Sequence, residues 1–319
     1  MPITYTPLRF PGGKSKIYPF VSSLIKVNAL TGCTYAEPFC GGAGLAIKLL
    51  LLGEVSRVAL NDFDPAVYSA WDAIVRHPDE LCEFIGNVDL SINEWERQRD
   101  VYKRSHTPSV ALGKAAFYLN RTNRSGILKG GVIGGKGQTG RYGIDARFNR
   151  DGLCQKVRRI AEVSDRIELS NVDAMDFMLQ VAPRLEGRSL VYLDPPYVKK
   201  GPGLYESSFG EGQHRALAKS VRSYQGDWMV TYDMDPLVDE IYRPSGEWPI
   251  SAGSLEVGYS AHRRRSRKLE RLLLSPGLVD PREAERHCVR QNGLLATAHD
   301  METAKSNENL SSRPQEVTG

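Results

Sequence analysis

Short apolar runs alternate with amphipathic stretches through most of this chain. That is the pattern of an α/β sheet whose strands are mostly parallel and joined by helices. The first run, Cys33 to Phe39, predicts a strand. Gly41-Gly42-Ala43-Gly44 follows it, then an apolar helix from Leu45 to Leu52. Arg57 to Asn61 reads as a second strand, closed by Asp62. Pro65 suits the first turn of the next helix, with Asp64 as its N-cap.

From about His77 to Arg159 the rhythm breaks. The chain there is polar and basic, with glycines crowded between Gly130 and Gly143, and reads as an insertion or second subdomain. The alternation returns with a strand at Arg166 to Asn171, a helix at Ala174 to Val181 and a buried strand at Ser189 to Leu193. A helix at Gly212 to Ser223, a strand at Trp228 to Tyr232, a helix at Pro236 to Tyr242 and a strand at Lys268 to Ser275 complete it. The division expected is a catalytic domain from residues 1–76 and 160–275, an inserted domain at 77–159 and a tail at 276–319. Asp, Glu, Ser, Asn and Thr dominate that tail, which predicts disorder or weak helix.

Composition changes this picture little. With 319 residues, 41% hydrophobic and 25% charged, the chain has the make-up of a soluble globular protein. No apolar run is long enough to span a bilayer, and Met1 to Phe20 lacks signal-peptide architecture. Five scattered cysteines without a CxxC pair indicate neither zinc nor a disulfide framework, so no metal is expected and the cytoplasm is the natural compartment. Charge changes it more. Arg97 to Ile160 holds 15 Lys+Arg against 3 Asp, a local balance of +12, so the remainder carries −8 of the net +4. One face is thereby predicted to meet a polyanion.

Four segments carry candidate chemistry. In Glu37-Pro38-Phe39-Cys40-Gly41-Gly42-Ala43-Gly44 a strand runs into glycines and a helix start, which lets the backbone approach a ligand closely. Asp62 closes the next strand, where a carboxylate can take two ribose hydroxyls. In Asp194-Pro195-Pro196-Tyr197 an apolar strand delivers a carboxylate to the sheet edge. The two prolines remove N–H donors, so the local carbonyls can only accept, and an aromatic ring follows. That set suits a planar base amine: Asp194 and the Pro195 carbonyl take its two hydrogens while Tyr197 stacks on the ring. In Phe10-Pro11-Gly12-Gly13-Lys14 the glycines precede Lys14 at a helix start, fit for an anionic group, and Phe10 could face a sulfonium. The basic insertion offers Arg121, Asn123, Arg124 and Lys129, then a glycine-rich stretch that reads as a flexible hairpin tipped by Lys136, Gln138, Arg141 and Tyr142. Such side chains read guanine and adenine edges or hold phosphates.

Taken together these motifs resemble the Dam-like, D12 class of N6-adenine DNA methyltransferases. The pattern is FxGGK (Phe10 to Lys14), EPFxGG (Glu37 to Gly42), a basic insertion with NRxxxSG (Asn120 to Gly126), then DPPY (Asp194 to Tyr197). The order is that of the alpha group, and the resemblance runs from about Thr6 to Ser275. Phe10-Pro11 stands where well-known members have Trp-Ala, and the insertion does not closely match the segment of enzymes specific for GATC.

The resemblance implies a Rossmann-like methyltransferase domain with a mostly parallel seven-stranded sheet and an inserted DNA target-recognition domain. It implies S-adenosylmethionine as cofactor, bound by Phe10, Lys14, Glu37, Phe39, Gly41, Gly42, Asp62, Asp173 and Asp194. It implies a flipped adenine in double-stranded DNA held by Asp194, Pro195 and Tyr197. Gly201 to Phe209 would close over that base, and Tyr259 with Arg263 to Arg265 matches a motif near the last strands. A monomer is expected, with a cognate restriction endonuclease as a candidate partner. The alternatives are N4-cytosine methylation, a DNA-binding relative without catalysis, and a nicotinamide oxidoreductase resting on the glycine loop alone.

Overall fold

In a computed structural model of the protein, residues 4–10, 13–198, 209–259 and 266–284 are described. Among them, β1 (Thr34–Glu37), β2 (Arg57–Asn61), β3 (Ile167–Ser170), β4 (Ser189–Leu193), β5 (Asp227–Asp233), β6 (Ser251–Tyr259) and β7 (Ser266–Leu274) form one sheet in the order β3-β2-β1-β4-β5-β7-β6. Strands β1 to β5 are parallel to one another. β7 joins antiparallel to β5, and β6 antiparallel to β7.

Along β4, Leu190 and Tyr192 enter one buried cluster and Val191 and Leu193 the other, as alternating side chains must. The first cluster is closed by α1 (Tyr18–Val27), α2 (Gly44–Leu51) and α3 (Pro65–Arg76), through Leu24, Ile47 and Trp71. The second is closed by α8 (Ala174–Asp176, continued by a π-turn at Phe177–Val181), α9 (Glu211–Ser223) and α10 (Pro236–Ile241). Because both faces are covered, the central strands read as unbroken apolar runs, which is why the sequence located them. The architecture is the expected Rossmann-like α/β sandwich.

The segment 77–159 is mostly helical: α4 (Pro78–Asn87), α5 (Ile92–Arg104), α6 (Val110–Thr122) and α7 (Arg150–Ala161). Ser91, Ser109 and Asn149 cap α5, α6 and α7 by accepting from the amides of Glu94, Leu112 and Gly152. Leu81, Trp95, Phe117 and Val157 of these helices share the buried cluster of α3 and the sheet, so the insertion is rooted in the main core.

The sequence reading places no helix in the 77–159 segment, and it differs from the structure elsewhere too. α1 and β6 were not anticipated; β6 lies at the sheet edge, carries Ser251, Gly253 and Ser254 among its residues, and so lacks an apolar run. The stretch from Gly130 to Gly143 is not a hairpin. Its single ladder contact is the isolated bridge Asn123↔Val132. Positive φ at Gly134, Gly135 and Gln138 folds it into a compact loop. A separate unit begins at Val279; of it residues 279–284 are described, with Asp280 accepting from the Arg282 amide, and the rest of the predicted tail, 285–319, lies outside the described residues. So do residues 201–208 of the predicted closing loop and Arg263 to Arg265. No described helix is long and apolar enough to cross a membrane.

Candidate active site

β1 and β4 are neighbours at the point where the strand order reverses, and the crevice beyond their carboxyl ends is where open α/β sheets bind ligands. Both principal motifs leave the sheet there: the glycine loop follows β1, and Asp194 follows β4.

The glycine loop is fixed from three directions. Trp71 Nε1 donates to the Gly41 carbonyl at 2.8 Å, and the Gly41 amide donates to Asp62 Oδ2 at 3.0 Å. The Phe10 ring lies against the glycines, and a Cβ at Gly41 or Gly42 would stand 3.2 or 3.3 Å from it. Gly41 also has φ +45, a left-handed value that favours glycine. Phe10 therefore backs the loop. Phe39 points to the other side, where it meets Phe209 edge-on at 5.9 Å.

Asp62 takes a second bond from the Asp64 amide at 3.0 Å. Burial, then the charge of Asp64, pushes its carboxyl up to about 7. Phe63, beside it, is 58% exposed, an unusual position for a phenylalanine. Asn61 was overlooked by the sequence reading. It is fully buried, donates to the carbonyls of Pro38 and Val172 at 3.0 Å each, and accepts from Ser170 Oγ and the Val172 amide. It thus ties together the loops after β1, β2 and β3. Asp173 caps α8 through the Met175 amide.

The Asp194 end of the site is a network of buried charges. Lys14 Nζ lies 3.1 Å from Asp194 Oδ1, 2.9 and 2.8 Å from the two oxygens of Glu270, and 3.0 Å from the Tyr197 hydroxyl. The Tyr197 hydroxyl donates to Glu270 as well. Thr231, on β5, donates to Asp194 Oδ1 at 3.2 Å, and Tyr192 is bonded to Thr231 at 2.7 Å. Burial pushes Asp194 up to about 6; Lys14 pulls the other way and Glu270 adds to the rise. Burial works against the Lys14 charge, but Asp194 and Glu270 outweigh it and hold its pKa above the ordinary value. Glu37, inside the end of β1, is pushed up to about 8, chiefly by burial, with Asp194 contributing. Pro195 and Pro196 are buried. The chain leaves the motif through Val198, whose amide donates to Asp233 Oδ1 at 3.1 Å.

The insertion divides the candidate DNA residues into two groups. Arg124, Lys129, Lys136, Arg141 and Tyr142 are exposed, with Lys136 paired to Glu96 and Arg141 lying over Tyr142. Asn123 and Gln138, expected to face a base, do not. Asn123 is fully buried, donates to the carbonyls of Ile127 and Leu128, and accepts from Trp95 Nε1. The Gln138 amide group bonds to Ile133, Gly135 and Ile144 of its own loop. Both residues are bound by nearby backbone, which spacing alone does not reveal. Arg121 is partly buried and donates to the carbonyls of Arg147 and Pro7. Burial, then Arg9 and Arg147, lowers its pKa to about 9. Among the described residues none of these three arginines pairs with a carboxylate. Asn120 joins this face to the N-terminal motif: it bonds the Arg9 amide and carbonyl and the Gly126 carbonyl. Gly126, at φ +77, leaves no room for a Cβ against Arg9.

Comparison with solved structures gives distant likenesses. The protein PH1948 from Pyrococcus horikoshii is 10% identical with a TM-score of 0.39, over 84% of this chain and 86% of that one. TrmN from Thermus thermophilus is 11% identical with a TM-score of 0.35, over 82% of this chain and 52% of that one. Curated protein sequences give no match. A family model matches residues 10–253, from the Phe10 motif through the insertion and DPPY to β6, and the chain therefore belongs to the D12 class of N6 adenine-specific DNA methyltransferases.

Proposed function

We propose that the edge formed by β1, β2 and β4 binds S-adenosylmethionine and presents its methyl group to an adenine amine held at Asp194. The observation that carries the reading is the Asp194 carboxylate. It is delivered by a buried strand, its Oδ1 takes both Lys14 and Thr231, and its side chain remains 25% exposed. An adenine amine needs such an acceptor, because its lone pair is delocalised into the ring.

The residues suit the cofactor. Glu37, Asp62, Asp194 and Glu270 converge on an edge with one buried ammonium, Lys14, and three of the four carboxyls are raised by burial. A cationic ligand bearing hydroxyls complements that acidic set. When bound, S-adenosylmethionine supplies an electrophilic methyl group on a sulfonium. Asp62 would take the ribose hydroxyls with Phe63 against the adenine ring, Asp173 would lie near that ring, and Gly41 and Gly42 would let the backbone approach. Phe10, Glu37, Phe39, Lys14 and Asp194 complete the proposed cofactor wall.

Asp194 and the Pro195 carbonyl would accept from the target amine, and Tyr197 would stack on the base. The nitrogen would gain the methyl group as the methyl–sulfur bond breaks and S-adenosylhomocysteine leaves, and it would lose one proton, which Asp194 would accept. The crevice cannot reach a stacked base, so the adenine must leave the duplex at a cost of a few kcal/mol. The 77–159 insertion would supply the offsetting contacts as target-recognition domain. Arg124, Lys129, Lys136, Arg141 and Tyr142 would approach the groove, and Arg121 with Arg9 and Arg147 would meet phosphate. One chain would suffice as the enzyme, and a cognate restriction endonuclease is the partner it would protect DNA against. Expression in a host without adenine methylation, followed by digestion to nucleosides, tests the reading. N6-methyladenine is expected, and N4-methylcytosine in its place would refute it.

A further inference from the structure

We propose that Glu270, on the antiparallel strand β7, is a positioning residue for methyl transfer, holding the Lys14 ammonium and the Tyr197 hydroxyl so that the Asp194 carboxylate keeps one oxygen committed and the other turned to the substrate amine. The inference rests on the function proposed above.

The register places it. Glu270 pairs with Asp233 at the carboxyl end of β5, and because β7 runs antiparallel, its beginning lies where the parallel strands end. The side chain is 2% exposed, yet its neighbours Leu269 and Arg271 are not fully buried. A carboxylate so enclosed needs compensation by charge and hydrogen bonds. Lys14 provides it through both oxygens, and Tyr197 adds a third bond.

The arrangement has a chemical consequence. Lys14 alone against Asp194 would form a closed ion pair, with the ammonium drawn fully onto the acceptor. Glu270 divides the ammonium between two carboxylates. It also fixes the phenol, and with it the ring proposed to stack on the base. Among the described residues the groups facing Asp194 are Lys14 from the N-terminal segment, Glu37 from β1, Thr231 and Tyr232 from β5, Glu270 from β7, and Tyr192 and Tyr197 from its own strand and turn. Of these, Glu270 is the negative charge that shares Lys14 with it. Asp194 is therefore kept a better proton acceptor than a simple Lys–Asp pair would allow.

Glu270→Gln tests this, with methyl transfer to duplex DNA measured as kcat and KM across pH. Asp194 must be ionised to accept, so kcat falls on the acid side. Removing the Glu270 charge leaves Lys14 to Asp194 alone, and the acid limb is expected to move down by about one pH unit. The plateau kcat is expected to fall about tenfold, while KM for DNA and cofactor changes less than about threefold. Glu270→Asp keeps the charge and is expected to leave the limb in place and recover part of kcat. A folded Glu270→Gln protein with kcat within about twofold and an unmoved limb overturns the proposal. Should that variant not fold, Glu270→Asp decides alone: a lowered kcat with the limb in place supports positioning, and a wild-type kcat overturns it. Failure of the unaltered protein to methylate DNA would count instead against the function itself.

Discussion

The two working faces of this protein are electrostatic opposites. At the sheet edge, the buried carboxyls of Glu37 and Glu270 and the half-buried ones of Asp62 and Asp194 accompany one buried ammonium, Lys14, and Lys14, Thr231 and the Gly41 amide bond into this acidic set. On the basic face, Arg9 of the N-terminal segment gathers with Arg121 and Arg147 without pairing to a carboxylate among the described residues, and Arg124, Lys129 and Arg141 are exposed. On the proposed function, the first face would take a small cation and a neutral base, gripped by groups already in place. On the same proposal, the second would take a polyanion that brings its own charge and exchanges counterions for contacts. Preorganisation belongs to the first face and long-range attraction to the second. Mutations should therefore separate them: changes at the edge act on turnover, and changes on the insertion act on DNA affinity and its salt dependence.

The largest break in that comparison is Asp194→Ala. It removes the amine acceptor and leaves Lys14 with Glu270, so the protein should still fold. Methyl transfer is expected to fall by about three orders of magnitude or more, while DNA affinity measured by filter binding stays within about threefold. Equal loss of both in a folded protein would show that the two faces are not independent.

On the other face, Arg124→Ala combined with Arg141→Ala is expected to weaken DNA binding about thirtyfold at low salt and to reduce the slope of log affinity against log salt by about two. Binding of S-adenosylhomocysteine, read by thermal shift, should be unaffected. A lost affinity with an unchanged salt slope would mean that these arginines read bases and do not neutralise phosphates.

How far these faces could be read in advance differs for the same physical reason. β1 to β5 are buried on both sides and announce themselves as apolar runs, and DPPY and EPFxGG are contiguous. Asp194, Glu37 and Asp62 were thus legible, and Asp64 was recognisable as a cap from its place before Pro65. Glu270 was not, because it lies within an antiparallel strand, 76 residues after Asp194, and only the β5–β7 register brings the two together. Asn61 was hidden by sitting next to a more conspicuous aspartate. On the insertion, residue type suggested DNA contact for Asn123 and Gln138, yet short polar side chains often bond nearby backbone. Burial decides between those uses, and a polar stretch with little apolar periodicity gives no burial signal. Ser91 and Ser109, which cap α5 and α6, were local cues to helices there that the sequence reading passed over.

A smaller effect distinguishes the faces by pH. Glu37 and Asp62 are raised to about 8 and 7 in the cofactor-free protein, above their unfolded values. The folded state therefore binds these protons more tightly than the unfolded chain. The resulting stability is present at low pH and is lost as pH climbs from about 4 through 8. Cofactor binding should favour the ionised carboxylates and release protons. Affinity for S-adenosylhomocysteine, measured by calorimetry, is expected to rise between pH 6 and 8, by at most about tenfold per unit for each group. Over the same interval the melting temperature without ligand should decline. Asp62→Asn should flatten its share of the affinity profile. A flat profile in the unaltered protein would mean that neither carboxyl changes protonation on binding.

The smallest expected effect concerns Lys136, which makes a 2.7 Å ion pair with Glu96 across two exposed side chains, 65% and 51% accessible. Geometry alone would credit this pair with holding the glycine-rich loop to α5. Yet in water the attraction is screened, and fixing two long side chains costs entropy. The loop has better anchors in the Gln138 amide bonds and the bridge between Asn123 and Val132. Lys136→Ala should therefore leave the melting temperature within about one degree of the parent. If Lys136 leaves Glu96 for a phosphate when DNA arrives, the variant should show a salt slope shallower by about one. A large drop in melting temperature with no change in slope would reverse the assignment, making Lys136 a structural tie and removing it from the DNA face.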